Sequence, residues 1–359
     1  MAELWQVPLE RPYAVDDAGM LMLGLRQKLP APGARAARAE ALRHEARARM
    51  AMAGSSARDV RREAGLTFVD YAEAFELRKV TLEQQQLLGK LRAAAGARQA
   101  GGGTLADVAS AHAELALLEA ELASQSAGVE AGRERLNVLL RRDVSAPLGD
   151  PLWGAHAEAA ISSAAALRTA RQQRPEQNVA RAERDARRAE LRADEREASW
   201  PEFSLAGLYF APVGAMPEHG YGVSASMSLP WLWGAARHKR DAERASLEAA
   251  ERARQAVDLA ILRDVTSALS KVRALAARSA VLHERALPAS LRAADAVRVG
   301  YQSGRTELAR ILEAERRVLE VRTDLVRTRA ELERALVDLE WAMGARLPPQ
   351  TRDPRGAAR

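Results

Sequence analysis

Residues 221–229 carry the clearest alternation of apolar and polar positions in the chain. Apolar side chains at the odd positions from Tyr221 to Leu229 alternate with glycine or serine at the even positions. A period of two residues predicts a β-strand with one apolar face and one small, polar face. Pro230 would end this strand because it has no N–H to donate, and Gly234 would let the chain turn into the next element.

The sequence predicts two strand pairs, residues 1–30 and 201–230. Leucines at positions 21, 23 and 25 alternate with other residues in the first pair. The strands of the second pair are predicted at 202–212 and 220–230. Pro30 and Gly33 stand after the first pair as Pro230 and Gly234 stand after the second. We therefore expect the same strand-to-helix junction twice.

Aromatic residues flank the second strand pair at both ends. The side chains concerned are Trp200, Tyr209, Tyr221, Trp231 and Trp233. They favour the interfacial aromatic girdle of a transmembrane barrel over a cluster of core tryptophans. In that interpretation the apolar side chains Val223, Ala225 and Met227 face lipid, and Ser224, Ser226 and Ser228 face the lumen.

Long uninterrupted helices are predicted between and after the strand pairs. Residues 34–100 contain no proline and only isolated glycines, which predicts one helix. Two shorter helices are expected within 155–199, separated near Pro175. A second long helix is expected over 235–299, interrupted near Leu287-Pro288. Residues 348–359 are expected to form a disordered tail.

Heptad repeats predict two coiled-coil helices that return along the long ones. One seam and its counterpart 203 positions later consist of Val108, Leu115, Leu122, Val129 and Leu136, and of Ile311, Val318, Leu325, Leu332 and Leu339. Ala111, Leu118 and Leu139 stand at the partner positions, and Ala314, Val321 and Ala342 repeat them. Hydrophobic positions every seven residues are typical of a left-handed coiled coil.

The seams repeat after 203 positions and the junctions after about 201, and this agreement indicates an internal duplication. The first repeat would be 1–150, with tip turn 101–104 and returning helix 105–142. The second would be 151–347, with tip turn 300–306 and returning helix 307–346. The first repeat lacks a counterpart of helices 155–199, so we expect either an upstream start with an export signal and such a segment, or a truncated copy.

Composition and charge exclude several classes of site. The formal net charge is +6, but the basic residues are interleaved with acidic ones along the predicted helices, as on solvated faces. The absence of cysteine excludes disulfides, thiolate metal sites and a lipid-modified cysteine within these residues. The six histidines are scattered with no helical metal-binding pair, and His112, beside a seam, is expected to be packed. We find no phosphate loop or nucleophile motif and predict no catalytic residue, cofactor or metal.

The order of strand pair, long helix, turn and returning helix, present twice, resembles the outer membrane efflux proteins of the TolC type. The segments LRQKLPAPGARAARAEA and LPASLRAADAVRVGYQSGRTELARILEAERRVLE carry this resemblance most specifically, and the CzcC-like cation-efflux branch is the most similar. The resemblance implies a mainly α fold in which three chains form a twelve-stranded barrel above a periplasmic α-barrel. It also implies a passive channel in the outer membrane of a Gram-negative bacterium, working with a periplasmic adaptor and an inner-membrane pump of the RND type.

The same resemblance places a gate at the tip turns. The residues that it assigns there are Gly101, Asp107, Tyr301, Gly304, Arg305, Thr306, Arg310 and Glu313. Asp107 and Tyr301 match the family's tip aspartate and tyrosine. Thr306 stands where some members have a bonding arginine, and Glu313 keeps the charge of an acidic constriction that Arg310 lacks. For each of these residues, an ordinary exposed coiled-coil position is the alternative.

A soluble coiled-coil scaffold or a nucleic-acid-binding rod is the alternative function. The basic charge and the heptads would suffice for it, but it leaves the alternating strands and the repeated Pro–Gly junctions without a role. We therefore expect a channel that exports metal cations or small toxic molecules, without nucleic acid as a partner.

Overall fold

The computed structural model describes residues 2–5, 20–99, 105–152, 162–212, 219–229, 235–303 and 305–347. These form two compact units, one of residues 1–53 and 176–257 and one of residues 54–175 and 258–359. The elements are β1 (Ala2–Trp5), β2 (Met20–Leu29), α1 (Ala34–Gln99), α2 (Leu105–Leu139), α3 (Ser163–Gln173), α4 (Pro175–Ser199), β3 (Glu202–Pro212), β4 (Gly220–Ser228), α5 (Ala235–Val281), a π-helical turn (Leu282–Ala286), α6 (Leu287–Gln302) and α7 (Leu308–Met343). The chain is mainly helical, as the sequence predicts.

The first unit contains an antiparallel sheet with the strand order β1-β2-β3-β4. Strands β2, β3 and β4 have 10, 11 and 9 residues. β3 pairs along its length with both neighbours, so that Ser204 lies between Lys28 and Ser226. The predicted strand pairs are thus joined in one sheet through β2 and β3.

Alanine lines the helix contacts of the first unit. The buried alanines are Ala34, Ala37, Ala41 and Ala48 of α1 and Ala180, Ala182, Ala186, Ala189 and Ala193 of α4. Small side chains let helix axes approach closely, and charged residues at the edges then reach across. Arg38 pairs with Glu197 at 2.5 Å, and Arg192 pairs with Glu40 at 3.1 Å. The order of these pairs along the two helices shows that α1 and α4 are antiparallel here.

The second unit is built on close contacts between α1 and α2. A Cβ atom on Gly132 would lie 3.0 Å from the Tyr71 Cα, and one on Gly128 would lie 3.5 Å from the Ala74 Cβ. The Tyr71 hydroxyl donates to the Gly149 carbonyl at 3.3 Å. Burial, together with the nearby Asp150 carboxylate, raises the pKa of Tyr71.

Both predicted seams face the interior of the second unit. No side chain of the two seams or their partner positions is exposed, and Ile311, Leu339 and Ala342 retain at most 1% of their surface. The seam prediction is confirmed. The prediction for His112 is wrong, because its side chain points away from the seam and is exposed.

Several predicted helix ends are corrected by local hydrogen bonds. The first returning helix ends at Leu139 rather than 142, where Asn137 donates to the carbonyls of Val144 and Ala146 at 3.0 and 2.8 Å. The second runs over Leu308–Met343 instead of 307–346 and ends at Gly344, which adopts a left-handed conformation with φ 69°. The described part of the predicted helices 155–199 begins at Ser163, since Ser162 is extended.

The remaining corrections concern strand ends. β4 ends at Ser228 instead of 230, and the described part of β1 is Ala2–Trp5. The predicted interruption near Leu287-Pro288 is confirmed: a π-helical turn, Leu282–Ala286, separates α5 from α6, which runs to Gln302 instead of 299. A proline lacks the N–H that bonds four residues back, and a local widening just before it accommodates the loss. The predicted duplication and tail stay predictions, and residues 348–359 lie outside the described part.

Candidate functional site

One face of the sheet is apolar and open. The exposed apolar side chains on it are Leu23, Leu25, Leu29, Phe203, Leu205, Tyr221, Val223 and Met227. In the observed register all eight lie on the odd-numbered face of β2, β3 and β4, which also carries Gln27, Gly207, Tyr209 and Ala225. Leu25, Tyr221 and Val223 keep 84%, 82% and 86% of their surface. A soluble domain buries such a face, so this sheet requires an apolar environment.

The opposite face carries serine and charged side chains near one end of the strands and the apolar side chains Met22, Leu208 and Phe210 near the other. The Oγ atoms of Ser204 and Ser226 lie 2.6 Å apart, and Lys28 pairs with Glu202 at 2.7 Å. Ser224 and Ser228 share this face with them. On β4 the apolar and the small polar side chains therefore lie on opposite faces, as the alternation predicts; which set meets lipid stays a prediction.

Aromatic side chains lie near both ends of the β3–β4 pair. Tyr209 and Tyr221 are register partners with ring centres 5.5 Å apart, and the Tyr209 hydroxyl lies 2.6 Å from Nδ1 of His219. Trp200 stands before the other end of β3 and is 44% exposed. Trp231 and Trp233 lie outside the described residues. The girdle assignment stays a prediction.

The first strand-to-helix junction is built around Gly33. Its φ is 76°, a left-handed conformation that favours glycine, and its carbonyl accepts from Arg196 Nη1 at 2.8 Å. Pro30 follows β2 and lines a cleft of about 690 Å³ between the strand ends and the helices. Pro230 and Gly234 of the second junction lie outside the described residues. The structure has a turn at Gly33, and its role as one of two repeated junctions stays a prediction.

The turn between α6 and α7 is held by bonds within its own hairpin. The Ser303 hydroxyl donates to the carbonyls of Val299 and Gly300 at 3.1 and 3.0 Å. The Arg305 N–H donates to the Gly300 carbonyl at 2.9 Å. Because these bonds cap α6, the helix extends to Gln302, and the predicted turn at 300–306 is corrected to 303–307.

Thr306 and Arg305 also bond locally. The Thr306 hydroxyl donates to the Val297 carbonyl at 3.2 Å, and Arg305 Nε donates to the Ser303 hydroxyl at 2.9 Å. A Cβ atom on Gly300 would lie 3.0 Å from the Thr306 hydroxyl, so the close approach requires glycine there. Thr306 thus stabilises the turn between α6 and α7 through a hydrogen bond to α6.

The other predicted tip residues differ in their surroundings. Tyr301 packs against a buried cluster that includes Leu88, Leu308 and Leu312. Arg310 and Glu313 are exposed on α7. Gly101, Gly304 and the Asp107 side chain lie outside the described part, although Asp107 itself belongs to α2. The gate assignment therefore stays a prediction.

An ion pair that the sequence did not predict joins α6 and α7 close to this turn. Arg298 Nη2 donates to Oε1 of Glu315 at 2.6 Å, and the Glu315 side chain is only 3% exposed. Gln84 of α1 donates to the Glu315 backbone carbonyl at 3.4 Å. The only sequence feature that could have indicated this ion pair is that Glu315 directly follows the seam residue Ala314. Heptad reasoning assigns such a position to solvent, and only packing buries it.

Two kinds of site do not occur among the described residues. No group of three or more histidine, aspartate or glutamate side chains in the described ranges could hold a metal ion. None of the described helices is both long enough and apolar enough to cross a membrane.

Comparisons with known proteins identify the family. The model of the outer membrane efflux protein family matches residues 166–345, half of the chain. A comparison with curated proteins gave no match. Family membership therefore comes from the family model, and the solved structures add information on the fold.

Solved outer membrane channels share this fold. The channel OprN has a TM-score of 0.78 at 21% identity, with 96% of this chain and 80% of that chain covered. VceC from Vibrio cholerae has a TM-score of 0.78 at 18% identity, with 96% of this chain and 85% of that chain covered. The open state of the MtrE channel from Neisseria gonorrhoeae has a TM-score of 0.74 at 19% identity, with 92% of this chain and 81% of that chain covered. The chain therefore belongs to the outer membrane efflux protein family: it is an efflux channel component in the outer membrane of a Gram-negative bacterium, with its helical part in the periplasm.

Proposed function

We propose that three copies of this chain assemble into one passive export channel. The described residues of each copy contain a sheet of four strands, so a trimer would supply the twelve strands of a closed barrel. Closure would pair the two outer strands of each sheet with those of neighbouring copies and leave no free edge in the membrane. The helices would continue the channel as a periplasmic tunnel.

The exposed apolar sheet face is the observation that carries this proposal. Strands of 9 to 11 residues have the length that a tilted transmembrane strand needs. Leu25 and Val223 would meet lipid, while Ser204 and Ser226 on the opposite face would meet water in the lumen. The alternation of apolar and small polar side chains along β4 suits that environment.

We further propose that the channel works with a periplasmic adaptor and an inner-membrane pump of the RND type. The helical tips, including the turn at 303–307, would contact the adaptor and gate the tunnel. The cargo would be metal cations or small toxic molecules, which the pump selects and the channel passes. No chemical step is required of this chain.

Assembly and conductance test the proposal together. The chain is expressed behind a host export signal, and the membranes are fractionated. We expect a homotrimer in the outer membrane that forms ion-conducting channels in a planar bilayer. A soluble protein without conductance would overturn the proposal and support a soluble scaffold. The exposed apolar face disfavours that alternative, and no described contact favours nucleic acid.

Cargo and partners need a separate test in living cells. The channel is co-expressed with a pump and adaptor of metal or drug type in a strain that lacks its own channel. Restored resistance to the corresponding metal or drug is expected with one of these pairs. If a properly assembled trimer restores resistance with neither pair, the assignment of partners is wrong while the channel itself stands.

A further inference from the structure

Trp341, near the end of α7, is surrounded by three arginines. The guanidinium carbons of Arg58, Arg62 and Arg174 lie 4.8, 5.3 and 4.9 Å from the centre of the indole ring. The indole N–H donates to Oδ1 of Asp59 at 2.6 Å. Cations this close to an aromatic face are attracted to it, so the ring holds these side chains in place.

A cleft of about 310 Å³ opens beside this ring in the second unit. The charged side chains that line it are Arg58, Arg61, Arg62, Arg346 and Glu340. Arg346 reaches the cleft because the chain turns at Gly344, whose left-handed φ of 69° ends α7. Four guanidiniums thus share a small space with one carboxylate.

The neighbouring carboxylates do not cancel this charge. Asp338 pairs with Arg62 at 2.7 Å, Asp59 accepts the Trp341 N–H, and Glu340 accepts the Leu347 N–H at 2.8 Å. Each of these three carboxylates thus has a described partner other than Arg61 and Arg346. The structure describes no ion pair for Arg61 or Arg346 within residues 305–347 and the other described ranges, and both side chains are exposed.

We propose that this cleft binds a small multivalent oxyanion, a molecule that carries phosphate or several carboxylate groups. Guanidinium groups form paired, charge-assisted hydrogen bonds with both kinds of oxyanion. The stacking of Arg58 and Arg62 on Trp341 orders two of the donors before a ligand arrives, which lowers the entropic cost of binding. The volume corresponds to about ten water molecules, enough for a phosphate ester or a tricarboxylate. The site is independent of the proposed channel function.

Binding to the purified full-length protein in a non-ionic detergent tests the proposal. Inorganic phosphate and citrate are titrated separately by calorimetry at low salt. We expect saturable binding of one or both, and the tighter of the two identifies the anion class. Binding should weaken as salt is raised, because the attraction is between charges. Failure of both probes to saturate below about 10 mM would overturn the proposal.

The double variant Arg61→Gln/Arg346→Gln removes two exposed cations without touching Trp341. It should weaken binding at least about tenfold, since the variant loses two groups that donate charged hydrogen bonds to the anion. Arg43→Gln/Arg47→Gln, two exposed arginines elsewhere on α1, makes the same change in net charge and should leave affinity within about twofold. Equal weakening by both double variants would mean that overall charge, and not this cleft, attracts the anion, and would overturn the proposal.

Discussion

Arg298 of α6 and Glu315 of α7 form an ion pair whose acidic partner is almost fully buried. The Nη2 to Oε1 distance is 2.6 Å, and the side chains retain 35% and 3% of their surface. A buried carboxylate is costly unless it is paired and hydrogen-bonded. The pair therefore joins the two arms of this hairpin.

Removing Arg298 should destabilise the protein. Arg298→Met leaves the buried Glu315 carboxylate without this partner, and we expect the free energy of unfolding to fall by about 2–4 kcal/mol. Chemical denaturation followed by circular dichroism measures the loss. Arg317→Met serves as the control, because its pair with Glu320 is well exposed and should contribute less than about 1 kcal/mol. Losses of equal size would contradict the special role of Glu315.

The two faces of β4 should respond differently to charge. Val223→Arg places a cation on the exposed apolar face and should cost about 2–4 kcal/mol if that residue meets lipid near the bilayer centre. Ser224→Arg places the same cation on the polar face one residue later, where the cost should be much smaller. The amount of assembled protein in the outer membrane is compared for the two variants. Equal amounts would argue against the assignment of the lipid face.

The contact between Gly132 and Tyr71 should not tolerate a methyl group. Gly132→Ala would place a Cβ atom 3.0 Å from the Tyr71 backbone, and overpacking of this kind costs about 1–3 kcal/mol. Gly89→Ala is the matched control, because no atom lies within 4 Å of its added Cβ. Alanine should stabilise helix α1 there by up to about 1 kcal/mol. Thermal unfolding of both variants measures the difference, and a stabilised Gly132→Ala would contradict the packing.

Stability should depend on the charge of Asp264 at acidic pH. Burial raises the pKa of this carboxyl, but the hydrogen bonds from Arg174 and Arg263 outweigh it, so that the pKa is lowered overall. A lowered pKa adds stability above the unfolded value of about 3.9 and loses it as the pH falls through the folded value. Asp264→Asn should therefore destabilise the protein at neutral pH and have a smaller effect in acid.

Denaturation of wild type and Asp264→Asn over a range of pH measures the difference between their free energies of unfolding, which should become smaller as the pH falls. Asp324→Asn, at an exposed position of α7, is the control for a surface substitution. A difference between wild type and Asp264→Asn that stays constant down to the lowest pH would show that lost packing, and not lost charge, destabilises the variant.

The gate prediction can be tested at Asp107 and Tyr301. Asp107→Asn/Tyr301→Phe removes the charge and the hydroxyl but keeps the aromatic ring that packs near Leu308. If these groups help to close the tunnel, single-channel conductance in a planar bilayer should rise. Arg317→Gln, at an exposed position of α7, should leave conductance unchanged. An unchanged conductance of the assembled double variant would mean that neither the Asp107 charge nor the Tyr301 hydroxyl helps to close the tunnel.

The amino-acid sequence alone determined the periodic features of this protein. The alternation at 221–228 and the heptads at 108–139 and 311–342 depend on which side chains share a face, and this follows from the local geometry of a strand or a helix. The structure accordingly has the strands, the long helices and the buried seams that these patterns predict. The turn at Gly33 was predictable because a glycine after a proline marks a local backbone requirement.

Only the tertiary structure decided which polar residues meet across helices. Glu315 and Arg298, or Trp341 and Arg58, are separated along the chain, and their contacts depend on how the helices pack. Helix ends differ from their predicted positions because individual side chains bond backbone carbonyls there. Ser303 and Asn137 donate such hydrogen bonds, and no periodic pattern in the sequence identifies them. Periodicity fixes the face on which a residue lies, whereas packing in three dimensions fixes its partner.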